Sequence, residues 1–259
     1  MLDSELTPVT QLTEFDKHRF YDLLCRYFAQ TSYEQFTKDL QEKHWVVIMR
    51  DQQQVIRGFS TLVIMDFEHK GKKNQAIFSG DTIIHHKFWG TQALPLIWCR
   101  LAGQIKRSHP SVPLYWFLIV KGYRTYRYLK VFSKQYYPHW QYPTPSSIQV
   151  IMDQLARNKF AAAYDADKGI VRFPQSQGQL HSSWADIPAH VQHKPEIAFF
   201  MQANPHYDKG DELVCLTELC ASNLKSHARR AFLLGLNEEH PSRSNHSPPD
   251  KRQAICEIG

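Results

Sequence analysis

An amphipathic run set between two strand-like stretches limits this chain more than any other feature. Leu94, Ile97, Trp98, Leu101, Ala102 and Ile105 recur three and four residues apart, so they line one face of a helix. The stretch before it, Gln75 to His85 (QAIFSGDTIIH), is strand-like. After a Ser-His-Pro-Ser break comes Leu114 to Val120 (LYWFLIV), an uninterrupted apolar run typical of a buried strand. Beyond Gly122 a second helix carries tyrosine and arginine in KGYRTYRYLKVFSKQYY. The unit from Gln75 to Tyr137 therefore reads strand–turn–helix–strand–helix. Its first turn holds Lys87 and Gly90 and leads into the amphipathic helix. The first N–H groups of a helix lack intrahelical acceptors and carry the positive end of its dipole, so such a turn suits a phosphate or pyrophosphate.

Upstream, residues 1–13 are polar and read as a short arm. Phe20, Leu23, Leu24, Tyr27 and Phe28 keep helical spacing and predict a helix over Glu14 to Gln30. Thr31 or Ser32 is placed to cap a second, Tyr33 to Lys43. Strands follow at His44–Arg50 and Val55–Glu68, with Gly58 a bulge site, and the charged HKGKKN connection turns the chain into Ala76–His85. Downstream, Ser146 or Ser147 is placed to cap a helix with Ile148, Ile151, Met152 and Leu155 on one face. AAAYDADKGIVRFP reads as a hairpin turning at Lys168-Gly169, Gln175–Ser183 as polar loop, and EIAFFMQA as a helix within Pro188–Ala203. ELVCLTEL is a strand after Gly210, and Leu219–Leu234 the last helix. From Asn237 the chain is Pro-, Ser- and charge-rich and reads as a disordered tail, residues 237–259.

With 259 residues the chain can bury a full core, and 42% hydrophobic with 22% charged residues is ordinary for a globular protein. No run has the apolar length of a membrane span, and residues 1–13 are too polar for a signal peptide, so a cytoplasmic setting with reduced thiols is expected. Cys215 and Cys220 have no second pair to complete a zinc site, and no metal is expected. The net charge of +6 is compatible with nucleic acid, anionic membrane or an acidic partner. Helix-turn-helix, zinc-finger and RNA-recognition signatures are missing, so no nucleic-acid partner is expected.

The order of elements and the turn resemble the GNAT superfamily of N-acyltransferases. The family signature after its fourth strand is Arg/Gln-x-x-Gly-x-Gly/Ala. Here Lys87, Gly90 and Gln92 stand at those positions, with Ala93 following. Lys87 keeps the charge of arginine without its fork, and Gln92 replaces a small residue. The resemblance covers about Phe15 to Tyr137, while KGYRTYRYL with YYP, and NPHYDKGDELVCL, resemble bacterial GNAT-like enzymes that attach acyl chains to amino acids or peptides.

That resemblance implies an α/β (α+β) fold: a mixed, mostly antiparallel twisted sheet flanked by helices, with a C-terminal α/β extension. Residues 1–140 would form the acyl-thioester-binding core, and 141–236 would complete the sheet and the acyl or acceptor pocket. It implies a phosphopantetheine thioester donor, on coenzyme A or an acyl carrier protein, and an amine acceptor on an amino acid or peptide. Donor contacts fall on Ile83, Ile84, His85, Lys87, Trp89, Gly90, Thr91, Gln92, Ala93, Lys121 and Arg124. The acid that protonates the leaving thiolate falls on Tyr128, with Tyr123 or Tyr126 as substitutes, and Lys121 stands where the family often has Asn.

For the base, Asp81, Ile83 and His85 alternate along one strand and share a face, so a neutral histidine and an aspartate lie together. His86 points the other way if the strand stays regular. Asp66, Glu68 and the Asp211-Glu212 pair are further carboxylates to weigh. Arg124, Arg127, Lys130 and Lys134 recur at helical spacing as a basic ridge suited to an acidic carrier protein or a solvated face. A catalytically silent module that binds an acyl carrier or peptide is the alternative, supported by the departures at Lys87, Gln92 and Lys121.

Overall fold

In the computed structural model, residues 2–238 apart from 91, 92, 175 and 177 are described. The strands are β1 (Asp3–Pro8), β2 (Phe28–Ala29), β3 (Trp45–Arg50), β4 (Ile56–His69), β5 (Lys72–Ile84), β6 (Leu114–Val120), β7 (Tyr164–Asp165), β8 (Ile170–Val171), β9 (Gln179–Leu180) and β10 (Glu212–Glu218). The helices are α1 (Glu14–Cys25), α2 (Tyr33–Gln41), α3 (Ala93–Ser108), α4 (Tyr123–Phe132), α5 (Ser146–Phe160), α6 (Ser182–Ala185), α7 (Ala189–Gln192), α8 (Pro195–Ala203) and α9 (Ser226–Asn237). One sheet runs in the order β1-β3-β4-β5-β6-β10-β8-β7, and β2 pairs separately with β9. Its named pairings are antiparallel except β5 with β6, which run parallel with α3 between them in the chain. The fold is thus α/β, a mostly antiparallel mixed sheet flanked by helices. Among the described residues no helix is long and apolar enough to cross a membrane.

Alternation along the strands divides the core between the two faces of the sheet. Val47, Met49, Leu62, Ile77, Ile84, Leu118 and Val120 pack with α3, α4, α8 and α9. On the opposite face, Val46, Ile48, Phe59 and Ile83 pack with α1 and α2. Farther along that same face, Phe67, Phe78, Phe117, Val214 and Leu216 pack with α5. That second face therefore carries two separate apolar clusters. β4 passes from one to the other between Phe59 and Val63, and the residue midway on that face is Thr61. α3 and α9 meet backbone to backbone: a Cβ on Gly235 would lie 1.8 Å from the Arg100 carbonyl oxygen, and one on Gly103 would lie 2.0 Å from that of Phe232.

Several boundaries differ from those read in the sequence. The expected arm contains β1, whose residues pair with β3 from Asp3↔Arg50 to Pro8↔Trp45 and whose neighbour Leu2 is buried in the core. Thr13 and Asp16 cap α1 reciprocally. α1 stops at Cys25, because Phe28 and Ala29 are taken by pairing with β9. Ser32, not Thr31, caps α2, and that helix ends at Gln41. Lys70 and Gly71, both at positive φ, make a tighter hairpin than HKGKKN implied. The bulge near Gly58 is real, with Met49↔Gly58 followed by Arg50↔Ile56. The segment read as polar loop contains β9 and α6, and Pro188–Ala203 splits into α7 and α8. The last helix starts at Ser226, because Leu219 and Leu224 are buried in the turn before it. Asn237 still belongs to α9, Glu238 reaches Arg100 and Gln104 on α3, and the expected disordered tail otherwise lies outside the described residues.

Candidate functional site

A bulge in β5 creates the site. Ser60 pairs with Thr82 and Leu62 with Ser79, so Gly80 and Asp81 together oppose the single Thr61 of β4. An extra residue bends and twists its strand. Pairing between β5 and β6 runs from Gln75↔Leu114 to Ser79↔Leu118 and ends there. Past that point Ile83 and Ile84 stay paired with Phe59 and Gly58 of β4, while Ile119 and Val120 stay paired with Val214 and Leu213 of β10. The two parallel strands therefore part toward their C-terminal ends. Gly80 is required at the bend, because a Cβ there would lie 2.5 Å from Thr61 Oγ1 and 2.8 Å from Lys43 Cε.

On the face shared by α1, α2 and α5, charged side chains occupy the space between the two apolar clusters. Lys43 is buried and its Nζ lies 2.6 Å from Asp39 Oδ1. Lys121 Nζ lies 3.3 Å from the buried Glu212 Oε1. At the rim, Lys159 lies 3.9 Å from Glu42. Asp81 makes no ion pair within 4.0 Å among the described residues, so it is the carboxylate left over. Burial raises the Asp81 carboxyl above its ordinary value; Asp39 adds to the rise, while Lys43 and Lys121 oppose it. Burial also raises Glu212, with Lys121 opposing and Asp81 and Asp39 adding. Thr61 is 1% exposed, and its Oγ1 has no hydrogen-bond partner among the described residues.

The turn beyond β5 is held by aromatic side chains. The His85 N–H donates to the Arg57 carbonyl at 2.7 Å, and the His86 N–H donates to the Tyr27 hydroxyl at 2.7 Å. Trp89 Nε1 donates to the Ile84 carbonyl at 2.7 Å. Gly90, at φ +84°, turns the chain toward α3. Thr91 and Gln92 lie outside the described residues, and Ala93 is the first residue of α3. Arg124, on the first turn of α4, stacks over Tyr123 and Trp89 and donates to the Trp184 carbonyl at 2.9 Å. Trp184 in turn meets Tyr27, His86 and Trp89.

His85 is buried, and its Nδ1 accepts from the Lys87 N–H at 3.3 Å, which leaves Nε2 as the protonated nitrogen of a neutral ring. Burial lowers its pKa, with smaller contributions from His86, Arg26, Arg57 and Lys87. The chain leaves the strand at Ile84 for a short 3-10 turn, so alternation stops and the rings of His85 and His86 stack 4.4 Å apart instead of pointing to opposite faces. No hydrogen bond or ion pair joins Asp81 to His85 among the described residues; Asp81 belongs to the charged array and His85 to the turn. Tyr128 packs against the α3–α4 core beside Phe132, and burial pushes its phenol up. Tyr126 donates to the Pro138 carbonyl at 2.9 Å.

The basic ridge of α4 is engaged within the molecule. Lys130 lies 3.0 Å and Arg127 3.9 Å from Glu196 on α8, and Lys134 Nζ donates to the Ser222 carbonyl at 2.7 Å. Two clefts of about 360 and 550 Å³ share Arg172, His206 and Asp211. They sit at the start of β10, on its β8 side, where Asp211 directly precedes Glu212. Asp211 there holds Arg172 through both carboxylate oxygens. Asp39 and Lys43 form a local i,i+4 pair at the end of α2, whereas Thr61 of β4, which carries no motif spacing, comes beside Lys43 only at the bulge. Tyr27 and Trp184 were equally invisible, joined across the chain by the short β2–β9 pair.

No protein-family model and no curated protein matches the chain. Solved structures do. A "probable N-acyltransferase" from Enterococcus faecalis is 13% identical with a TM-score of 0.39, covering 83% of this chain and 65% of its own. A GNAT family N-acetyltransferase from Escherichia coli in complex with CoA is 14% identical with a TM-score of 0.33, covering 47% of this chain and 64% of its own. An N-myristoyltransferase from Saccharomyces cerevisiae with bound myristoyl-CoA is 11% identical with a TM-score of 0.37, covering 46% of this chain and 31% of its own.

Proposed function

We propose that the chain is an N-acyltransferase that moves an acyl group from a phosphopantetheine thioester to an amine of an amino acid or peptide. One observation supports it above others: parallel β5 and β6 separate after Ser79 and Leu118, leaving two strand edges facing across a gap. The amides of a pantetheine arm can bond such edges as an added strand would. The turn from Lys87 to Ala93 and the start of α4 with Arg124 stand at the end where the arm's phosphates would emerge. Residues 83–85 and Lys121 border the thioester, where backbone N–H groups would stabilise the oxyanion. His85 or Asp81 takes the amine's proton, and Tyr128 protonates the thiolate. Residues 1–140 then serve as the donor-binding core and 141–236 as the acyl and acceptor side, with room left open between coenzyme A and a carrier protein as donor and between short and fatty chains.

A silent binding module is the second reading. It is favoured by the Ile84 carbonyl already being taken by Trp89 and by Arg124 bonding across to Trp184. Incubation with acyl-coenzyme A and acyl-carrier donors, with amino-acid and peptide amines present, separates the two. Mass spectrometry should find free thiol and an acylated amine in equal amounts; intact donors with measurable donor binding would establish the silent module instead.

A further inference from the structure

Beyond Ser79 and Leu118 no pairing among the described residues joins β5 to β6. The sheet therefore does not set how far His85, past the end of one strand, stands from Lys121, past the end of the other. Proton transfer across the gap needs that distance fixed, because a misplacement of about 1 Å can cost about 10²-fold in rate. The segment Tyr27–Phe28, between α1 and β2, supplies the missing connection. It is pinned from both sides: the Tyr27 N–H donates to the Leu24 carbonyl of α1 at 2.9 Å, and the His181 N–H donates to the Tyr27 carbonyl at 2.9 Å. Phe28 pairs with Leu180 of β9, and the Tyr27 ring lies 5.2 Å from that of Trp184. Toward β5, the hydroxyl of the buried Tyr27 accepts the His86 N–H at 2.7 Å and lies 3.3 Å from His86 Nδ1. Toward β6, Lys121 Nζ sits 5.5 Å from the centre of the Phe28 ring, and Leu180 Cδ1 lies 3.4 Å from where a Gly122 Cβ would stand. Adjacent residues on one fixed stretch thus reach both edges of the gap.

The hydroxyl engages His86 in two ways. Its oxygen takes the backbone N–H, and its hydrogen has Nδ1 to bond, which leaves the His86 ring proton on Nε2. That ring stacks on His85 at 4.4 Å and 26°. We propose that Tyr27 is a positioning residue: by clamping the backbone and ring of His86, it holds His85 at a set place relative to the Lys121 edge of the gap. The inference rests on the N-acyltransfer reading with His85 as the base, and it adds a residue, just past the end of α1, that no motif marks. Tyr27 spends its hydroxyl on His86 and so acts through that residue rather than on a substrate. Losing the hydroxyl should slow proton transfer and leave donor binding alone, since Tyr27→Phe keeps the ring that packs against Trp184 and Trp89.

Long-range proton–nitrogen NMR on the full chain with isotope-labelled histidine, at about pH 8 and so above the ordinary imidazole range, reads the ring tautomers. Wild type should show His86 with its proton on Nε2; a His86 protonated on Nδ1 overturns the inference, and this measurement needs no variant to fold. Tyr27→Phe should lose the tautomer preference at His86 and shift the ring nitrogens of His85, whereas His85 signals that stay in place overturn it. With acetyl-coenzyme A and glycylglycine, Tyr27→Phe should lower kcat by about 10–100-fold while the donor's KM stays within about twofold. A wild-type kcat, or a loss carried by KM alone, overturns the inference. In a His85→Ala background the same substitution should change kcat by less than about twofold, because the two act as one unit. An equal loss in both backgrounds shows a merely structural role and overturns it as well. If wild type releases no thiol with any donor and amine, the N-acyltransfer reading fails, and the nitrogen spectra alone decide whether Tyr27 clamps the pair.

Discussion

Replacing Gly235 by alanine should destabilise the protein although alanine is the better helix former. In an exposed helix the exchange would gain about 1 kcal/mol. Here the new methyl would lie 1.8 Å from the Arg100 carbonyl oxygen and 2.8 Å from its carbon, where real Cβ atoms do not approach within 3.0 Å. The obstacle is backbone, which cannot swing aside, so α9 and α3 must separate along a contact that buries Ala102, Ala228, Ala231 and Phe232. Overpacking of this kind costs about 1–3 kcal/mol and occasionally more, and a backbone collision belongs at the upper end. The net expectation is a loss of about 2 kcal/mol, which for a domain of this size lowers Tm by about 4–8 °C. Gly103→Ala, 2.0 Å from the Phe232 carbonyl oxygen, should behave alike. Because both substitutions force the same separation, the double variant should lose less than the sum of the singles. Thermal and urea unfolding of the three variants provide the measurement. Gly235→Ala with an unchanged or raised midpoint would refute the argument that these helices touch through glycine.

At Gly90 the space around a Cβ is open and φ is +84°, so only backbone conformation restricts the residue. Gly90→Asn should bind coenzyme A nearly as wild type does, whereas Gly90→Val strains the turn by about 1–2 kcal/mol and should raise the donor's KM more than the acceptor's; equal calorimetric affinities for the two variants would refute this. His85→Ala should lower kcat by about 10²–10⁴-fold and recover as pH approaches the amine's own pKa, while Tyr128→Phe should cost less and recover little. A wild-type pH–rate profile in His85→Ala removes the histidine from the chemistry. Because the folded protein holds His85 below its ordinary 6.5, its neutral form is accommodated above that pH, and stability falls as pH drops through the lowered value. Urea midpoints from pH 7 to 5 should therefore decline less in His85→Phe. Glu196 is buried; burial works to raise its carboxyl, but its backbone bond, Lys130 and Arg127 outweigh this and hold it low. Its contribution is present above the ordinary 4.5 and lost as pH falls through the lowered value. Lys130→Met should raise the midpoint of acid unfolding, and Arg127→Glu should lose stability and slow small and carrier-bound donors equally; a loss confined to the carrier donor would show instead that the ridge docks a partner.

The sequence alone determined the local elements whose residues carry their own periodicity. Leu94 to Ile105 announced a helix and Leu114 to Val120 a buried strand, because amphipathic spacing and an unbroken apolar run are properties of neighbouring residues. Gly90 and Gly71 were legible for a similar reason: a position needing positive φ draws glycine whatever surrounds it. Elements defined by a distant partner were not legible. β1 is a strand because β3 offers it an edge, and β2 ends the first helix early because β9 claims Phe28 and Ala29. The site followed the same division. The sequence reading of Asp81 and His85 rested on alternation, which put them on one face of a regular strand. The bulge at Gly80 and the exit at Ile84 instead send one into the charged array and the other into the aromatic turn. Glu212 was noticed only as an acidic residue after Gly210; its pairing with Lys121, in the field of Asp81 and Asp39, depends on how β5, β6, β10 and α2 converge. Tertiary structure alone decides that convergence, because a charge becomes costly, and therefore chemically distinctive, only once the fold has removed it from water.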